Sequence, residues 1–268
     1  MINFEKIIKI FDRLLLRSAD AIFPPSIYCI SCGKPITIQS CYSLCDDCLN
    51  TLHWANEKTC IQCGKALENW YPDIICAECK NKKHDFNYGI TCLQYCDNER
   101  SIIHDLKYHK KSYLARIFAD MFYDKIKASE QTDKWDIIVP VPMFEKKERV
   151  RGYNQAELIA RFLSLKIGIF YAPDILLRVK NTAPMNRLGN EERYSNLEEA
   201  FSISDDKRVF IDGKRVLLVD DIYTTGATAD TCSKVLKDSG AVHITIITIA
   251  AGRNQRELPD LRRLKRSA

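Results

Sequence analysis

The sequence predicts an α/β protein, a parallel sheet flanked by helices, with a small cysteine-rich module in front of it. Two observations carry the first half. Val216–Val219 and Val242–Ala250 are apolar runs of strand length on either side of the amphipathic stretch Ala227–Asp238. Strand, helix, strand in that order implies a right-handed parallel crossover. The third observation is that eleven of the twelve cysteines fall between Cys29 and Cys96. At 268 residues the chain has room for one good-sized domain and a smaller one.

The segments divide into an N-terminal helix over 1–25, a cysteine module over 26–82, an α/β domain over 88–252 and a basic tail over 253–268. Phe4, Ile7, Ile8, Phe11, Leu14 and Leu15 make one helical stripe, stopped by Pro24 and Pro25. Its polar face mixes both charge signs, which favours packing on the protein's own body over a membrane surface. In the α/β domain, Ile102–Lys107, Leu114–Lys127 and Gln155–Lys166 read as helices, and Trp135–Val139 as a buried strand leaving through Pro140. Lys180–Asn196 is polar and aperiodic and reads as a long mobile loop. Gly240 closes Ala227–Asp238 as a C-terminal cap.

Composition narrows the setting. The charged and hydrophobic fractions, 28% and 46%, are those of an ordinary globular protein. The net charge of +5 is compatible with an anionic partner without requiring one. No run approaches the roughly 20 apolar residues of a membrane span. Glu5, Lys6, Lys9, Asp12 and Arg13 interrupt the apolar N-terminus, so no secretory signal is visible. The expected setting is cytoplasmic, at most peripheral at the inner face of the membrane, with reduced cysteines available to metal.

The cysteine module is an internal repeat. Cys29-Ile30-Ser31-Cys32-Gly33-Lys34 matches Cys60-Ile61-Gln62-Cys63-Gly64-Lys65, and Cys45-Asp46-Asp47-Cys48 matches Cys76-Ala77-Glu78-Cys79 at the same offset. Each repeat supplies two C-x2-C hooks, hence four thiolates, the number a closed tetrahedral zinc site takes. Sequential closure assigns Cys29, Cys32, Cys45 and Cys48 to one structural Zn²⁺, and Cys60, Cys63, Cys76 and Cys79 to another. A cross-braced pairing of hooks is the rival; repetition of the whole unit favours sequential closure. Cys41 has Pro72 as its counterpart and belongs to neither site. Cys92, Cys96 and Cys232 read as buried small hydrophobes.

The most informative stretch is Val216–Thr228. A hydrophobic strand ends in Asp220-Asp221, followed by Ile222-Tyr223-Thr224-Thr225-Gly226-Ala227-Thr228 and a helix. A helix N-terminus at the carboxyl end of a parallel strand suits a phosphate, and adjacent carboxylates suit sugar hydroxyls or Mg²⁺. The Walker phosphate loop is excluded, because its Gly-Lys-Ser/Thr ending is absent.

This stretch resembles the signature of type I phosphoribosyltransferases. The resemblance implies that fold, a Rossmann-like parallel sheet flanked by helices, behind an N-terminal double zinc ribbon. Asp220 and Asp221 would then hold the ribose hydroxyls and Mg²⁺ of phosphoribosyl pyrophosphate or a related ribose phosphate. Thr224, Thr225, Gly226, Ala227 and Thr228 would hold its 5′-phosphate. The cysteine module, Ile103–Tyr108, Val139–Pro142, Arg151–Ala156, Arg193 with Asn196, and Ala200-Phe201 together resemble the ComF family of competence proteins, which is associated with uptake of transforming DNA. That likeness places Val141, Arg151 and Lys107 on the pyrophosphate side. It implies single-stranded DNA as a partner, with a DNA-uptake helicase or recombination proteins nearby. A catalytically active phosphoribosyltransferase with an unnamed acceptor is the alternative function.

Overall fold

The computed structural model describes residues 27–129, 135–182, 195–197 and 199–252. The N-terminal helix, the basic tail and most of the Lys180–Asn196 loop lie outside these residues.

The cysteine module folds as two equivalent turns. In each, the amide of the first cysteine donates to the lysine carbonyl five residues on, at 2.8 Å for both Cys29–Lys34 and Cys60–Lys65. The glycine after each leading hook has positive φ, 75° at Gly33 and 74° at Gly64, which lets the chain reverse around the sulfurs. Each second hook opens a short helix, α1 (Asp46–Thr51) and α2 (Ala77–Lys80).

The α/β domain follows as β1 (Tyr88–Gln94), α3 (Asp97–Tyr108), α4 (Leu114–Ala128), β2 (Ile137–Pro140), α5 (Glu145–Arg151), α6 (Gln155–Ile167), β3 (Phe170–Tyr171), β4 (Leu177–Arg178), β5 (Phe201–Ser202), α7 (Asp205–Arg208), β6 (Arg215–Tyr223), α8 (Ala227–Asp238) and β7 (His243–Ala251). Five strands form one parallel sheet in the order β1-β7-β6-β2-β3, and β4 and β5 form a separate antiparallel pair. The expected β6–α8–β7 crossover joins neighbouring parallel strands.

Alternation along β6 separates two cores. Leu217 and Val219 pack with α3, α4 and α6, while Val216 and Leu218 pack with α8 and the β4–β5 pair. The cysteine turns divide the same way: Cys29 and Leu44 join the first core, and Cys60, Cys63 and Cys76 the second. One lobe therefore sits on each face of the sheet.

Two readings need correction, and two elements had no legible pattern. β6 runs on to Tyr223, so Asp220 and Asp221 lie inside the strand; the ladder to β7 continues through Tyr223 and Ala251 and outweighs the low strand propensity of aspartate. β1 and α5 were not legible as elements. β1 carries Gly89, which weakens a strand pattern, and α5 buries no residue, so it has no apolar stripe to read. Cys96 is half-buried rather than buried, because it is the N-cap of α3; Cys92 and Cys232 are buried.

Candidate functional site

The two cysteine tetrads come together as four-sulfur groups. Within each of Cys29/Cys32/Cys45/Cys48 and Cys60/Cys63/Cys76/Cys79, the sulfurs all lie within 4.8 Å of one another. Cys32 and Cys45 Sγ are 3.7 Å apart, and Cys63 and Cys76 Sγ 3.8 Å. Four Zn–S bonds of about 2.3 Å in a tetrahedron require sulfurs about 3.8 Å apart, so the residues fit zinc. The Cys76 amide also donates to Cys60 Sγ at 3.3 Å. The first tetrad exposes Cys32, whereas three of the second tetrad's cysteines are buried.

The second constellation stands at the carboxyl ends of β2 and β6. The Asp221 carboxylate is buried and turns toward α3 and α6. Its Oδ2 accepts from Lys107 Nζ at 2.9 Å and from the Gln155 amide. Gln155 Oε1 in turn accepts from the Arg151 guanidinium, which lies over the Tyr108 ring. Burial opposes the charge of Lys107, but the Asp221 carboxylate and nearby Asp220 outweigh it and raise the lysine pKa. Lys107 is thus a half-buried ion-pair partner of Asp221.

Asp220 points the other way, into a pocket with Val141, Tyr223, Thr224, Gly226 and Thr228. Its Oδ1 accepts the Asp221 amide at 2.8 Å. Burial, and then the charge of Asp221, push its pKa up to about 7. Gly226 has φ +80° and is the N-cap of α8. A Cβ there would lie 2.5 Å from Tyr223 Oη, so only glycine lets the turn close over the tyrosine ring. Thr225 Oγ1 lies 3.5 Å from the Ala227 amide, at the outer limit of a hydrogen bond. Thr224 is exposed. The result is a helix N-terminus, a threonine-lined turn and a carboxylate around one small pocket, which suits an anion with an adjoining hydroxylated or metal-bearing group.

Val141 is held by its backbone. Its N–H donates to Val219 O at 2.8 Å, and its carbonyl accepts from Asn154 Nδ2 at 3.1 Å. Its amide is therefore not an anion donor, and its contribution to the pocket is shape. Asn154 also caps α6, accepting the Ala156 amide at 3.1 Å.

Two cations escaped the sequence reading. Arg178 donates to Thr182 Oγ1, and Lys147 Nζ donates to Thr182 O at 2.9 Å, so both hold the base of the Lys180–Asn196 loop. Burial, followed by the charges of Arg178 and Arg151, lowers the Lys147 pKa. Lys147 lies in a run of surface charge, and Arg178 in a strand of two residues. Neither has a local pattern to reveal it.

Comparison with known proteins agrees with this architecture. Residues 18–82 match a double zinc ribbon domain and residues 153–266 a phosphoribosyl transferase domain. Competence protein F of Haemophilus influenzae is 28% identical over 220 residues, which is 77% of this chain and 96% of that protein. DNA utilization protein YhgH of Escherichia coli is 24% identical over 221 residues, 81% of this chain and 94% of that protein. Competence protein ComFC of Bacillus subtilis is 24% identical over 212 residues, 79% of this chain and 72% of that protein. With a double zinc ribbon joined to a phosphoribosyltransferase domain, and with homologues of these names matched along most of their length, the chain belongs to the ComF family.

Proposed function

We propose that the Asp220–Thr228 turn binds the phosphoribosyl group of phosphoribosyl pyrophosphate or a related ribose phosphate, with Mg²⁺, and that the protein uses this site in handling single-stranded DNA during natural transformation. The observation that carries the ligand half is the pocket itself, where Asp220 faces the N-terminus of α8 across the Gly226 turn. In this reading the turn amides and the hydroxyls of Thr224, Thr225 and Thr228 take the 5′-phosphate. Asp220 takes a ribose hydroxyl or Mg²⁺, and Asp221 holds the site's charge balance through Lys107. Arg151, Lys147 and Arg178 supply positive charge on the pyrophosphate side.

The DNA half is supported by relatives named for competence and DNA utilization. It is also supported by the two ribbon lobes and by the basic tail, where Arg262, Arg263, Lys265 and Arg266 cluster. Cytoplasmic strand handling would place a DNA-uptake helicase or recombination proteins next to it. Among the described residues no helix is long and apolar enough to cross a membrane.

The alternative is a turning-over phosphoribosyltransferase. The cations Lys147 and Arg178, which meet at Thr182, favour it, because a departing pyrophosphate needs positive charge to stabilise it. One experiment separates the readings: phosphoribosyl pyrophosphate and single-stranded DNA are titrated against the pure protein, separately and together, with pyrophosphate release followed in parallel. Salt-sensitive strand binding without release supports the first reading. Rapid release with a nucleobase or amine acceptor, and no salt-sensitive affinity for single strands, replaces it with the second.

A further inference from the structure

The two ribbon lobes share a repeat but not an environment. In the first, the side chains of Lys34 and Asp47 pair at 3.3 Å while 66% and 81% exposed. Their counterparts in the second, Lys65 and Glu78, also pair, but the Lys65 side chain is only 3% exposed. The difference is what the second lobe packs against. Its Gly64 meets Gly89 of β1 so closely that a Cβ on Gly64 would lie 2.5 Å from the Gly89 carbonyl oxygen. Lys65 Nζ sits over the Tyr223 ring, 5.4 Å from its centroid. Tyr223 is the residue whose hydroxyl lies beneath Gly226 of the phosphate turn.

A second chain of contacts runs in parallel. His84 Nε2 is 3.3 Å from Cys79 Sγ, a sulfur of the second tetrad. The Nδ1–H of the same ring donates to the Asp230 carboxylate, at 3.0 Å to Oδ1. Asp230 is in the first turn of α8, and its amide donates to Gly226 O at 2.7 Å. It also accepts the Asp85 amide at 3.1 Å. Phe86 stacks on His84 and meets Tyr223 edge-on, with centroids 4.7 and 6.1 Å apart. The His84 and Asp230 side chains are 2% and 7% exposed. A histidine hydrogen-bonded to a carboxylate and set against a metal ligand is a common outer-shell device for fixing a metal site. Here its far end is the helix that carries the phosphate turn. The first lobe instead docks on α4, where Tyr42 Oη donates to Asp124 at 2.9 Å.

We propose that the second ribbon lobe is a positioning arm of the phosphate turn. Through His84, Phe86 and Lys65 it holds Tyr223 and Asp230 in place, so metal in that lobe and a ribose phosphate in the turn stabilise each other. Among the described residues the first lobe has no such link. The mutual stabilisation rests on the ligand reading above; the positioning does not.

Linkage makes the coupling reciprocal, and that gives the test. Zinc is withdrawn from the loaded full chain by a chromogenic chelator, with Mg²⁺ constant, with and without ribose 5-phosphate. The exposed first tetrad should empty in a fast phase and the buried second in a slow one. Ribose 5-phosphate should slow the second phase about fivefold or more, the low end of ordinary couplings, and leave the first unchanged. His84→Ala and Lys65→Met should lose the effect; Tyr42→Phe, in the first lobe, should keep it. Ligand-free amide exchange gives an independent reading. Protection at 226–230 should fall in His84→Ala and stay at the wild-type level in Tyr42→Phe. If His84→Ala does not fold, His84→Gln takes its place in both arms. The inference is overturned if calorimetry shows ribose 5-phosphate binding while zinc release ignores it, or if exchange at the turn is unaffected by the His84 change. If calorimetry shows no binding, the ligand reading falls, and the exchange arm alone decides the positioning.

Discussion

Gly226→Ala against Gly213→Ala isolates what the proposed phosphate turn demands. Both glycines have positive φ, +80° and +69°. A left-handed conformation costs an alanine about 1–2 kcal/mol, offset by about 0.4–1 kcal/mol from the stiffer unfolded chain. A Cβ on Gly213 meets nothing within 4 Å, so that variant should lose roughly 0–1.6 kcal/mol. A Cβ on Gly226 lands 2.5 Å from Tyr223 Oη. Tyr223 is 3% exposed and stands against Phe86 and Lys65, so the phenol cannot swing aside freely. Overpacking of that kind costs about 1–3 kcal/mol more. In a chain of this size the added term lowers the melting temperature by about 2–4 °C per kcal/mol. Urea unfolding and calorimetry with phosphoribosyl pyrophosphate and Mg²⁺ are the assays. Gly226→Ala should be the less stable by the overpacking term and should bind roughly tenfold more weakly, about 1.4 kcal/mol, while Gly213→Ala binds normally. Equal stabilities with unchanged affinity for both would refute the reasoning.

Other outcomes follow from the same geometry. Metal analysis of protein purified without chelator should find two zinc ions per chain, and Cys45→Ser should remove only the first; loss from the second lobe would mean crossed pairing. Asp220 keeps its proton to about pH 7 in the folded chain, whereas the unfolded chain releases it in the ordinary carboxylate range. Its contribution to stability is therefore full at low pH and fades as pH rises through about 7. Mg²⁺-dependent ligand binding, which uses the carboxylate, should strengthen over the same rise, and Asp220→Asn should flatten both profiles. Asn154→Ala removes the α6 cap and leaves the Val141 carbonyl without its donor, so chemical denaturation should show a loss of about 1–3 kcal/mol. Deleting Arg262–Arg266 should weaken single-strand binding and flatten its salt slope; an unchanged slope would remove the tail from the DNA contact.

Much of this protein was legible in its order of residues, for local reasons. The repeat of cysteine hooks, the Asp220-Asp221 pair before Thr224–Thr228 and the apolar strands around Ala227–Asp238 are contiguous patterns, and each matches a local geometry. The α4 and α6 helices were readable because their apolar stripes face a core. What only the tertiary structure decided is which distant groups meet. Lys107 and Gln155 close on Asp221 because α3 and α6 cover the same face of the sheet. Arg178 and Lys147 join at Thr182 from a two-residue strand and a surface helix. The two lobes, identical in spacing, took opposite faces of the sheet, and among the described residues only the second reaches the Gly226 turn, through Lys65 and His84. A spacing rule specifies which four sulfurs can share an ion; it carries no information about which face of a sheet, dozens of residues away, will bury them.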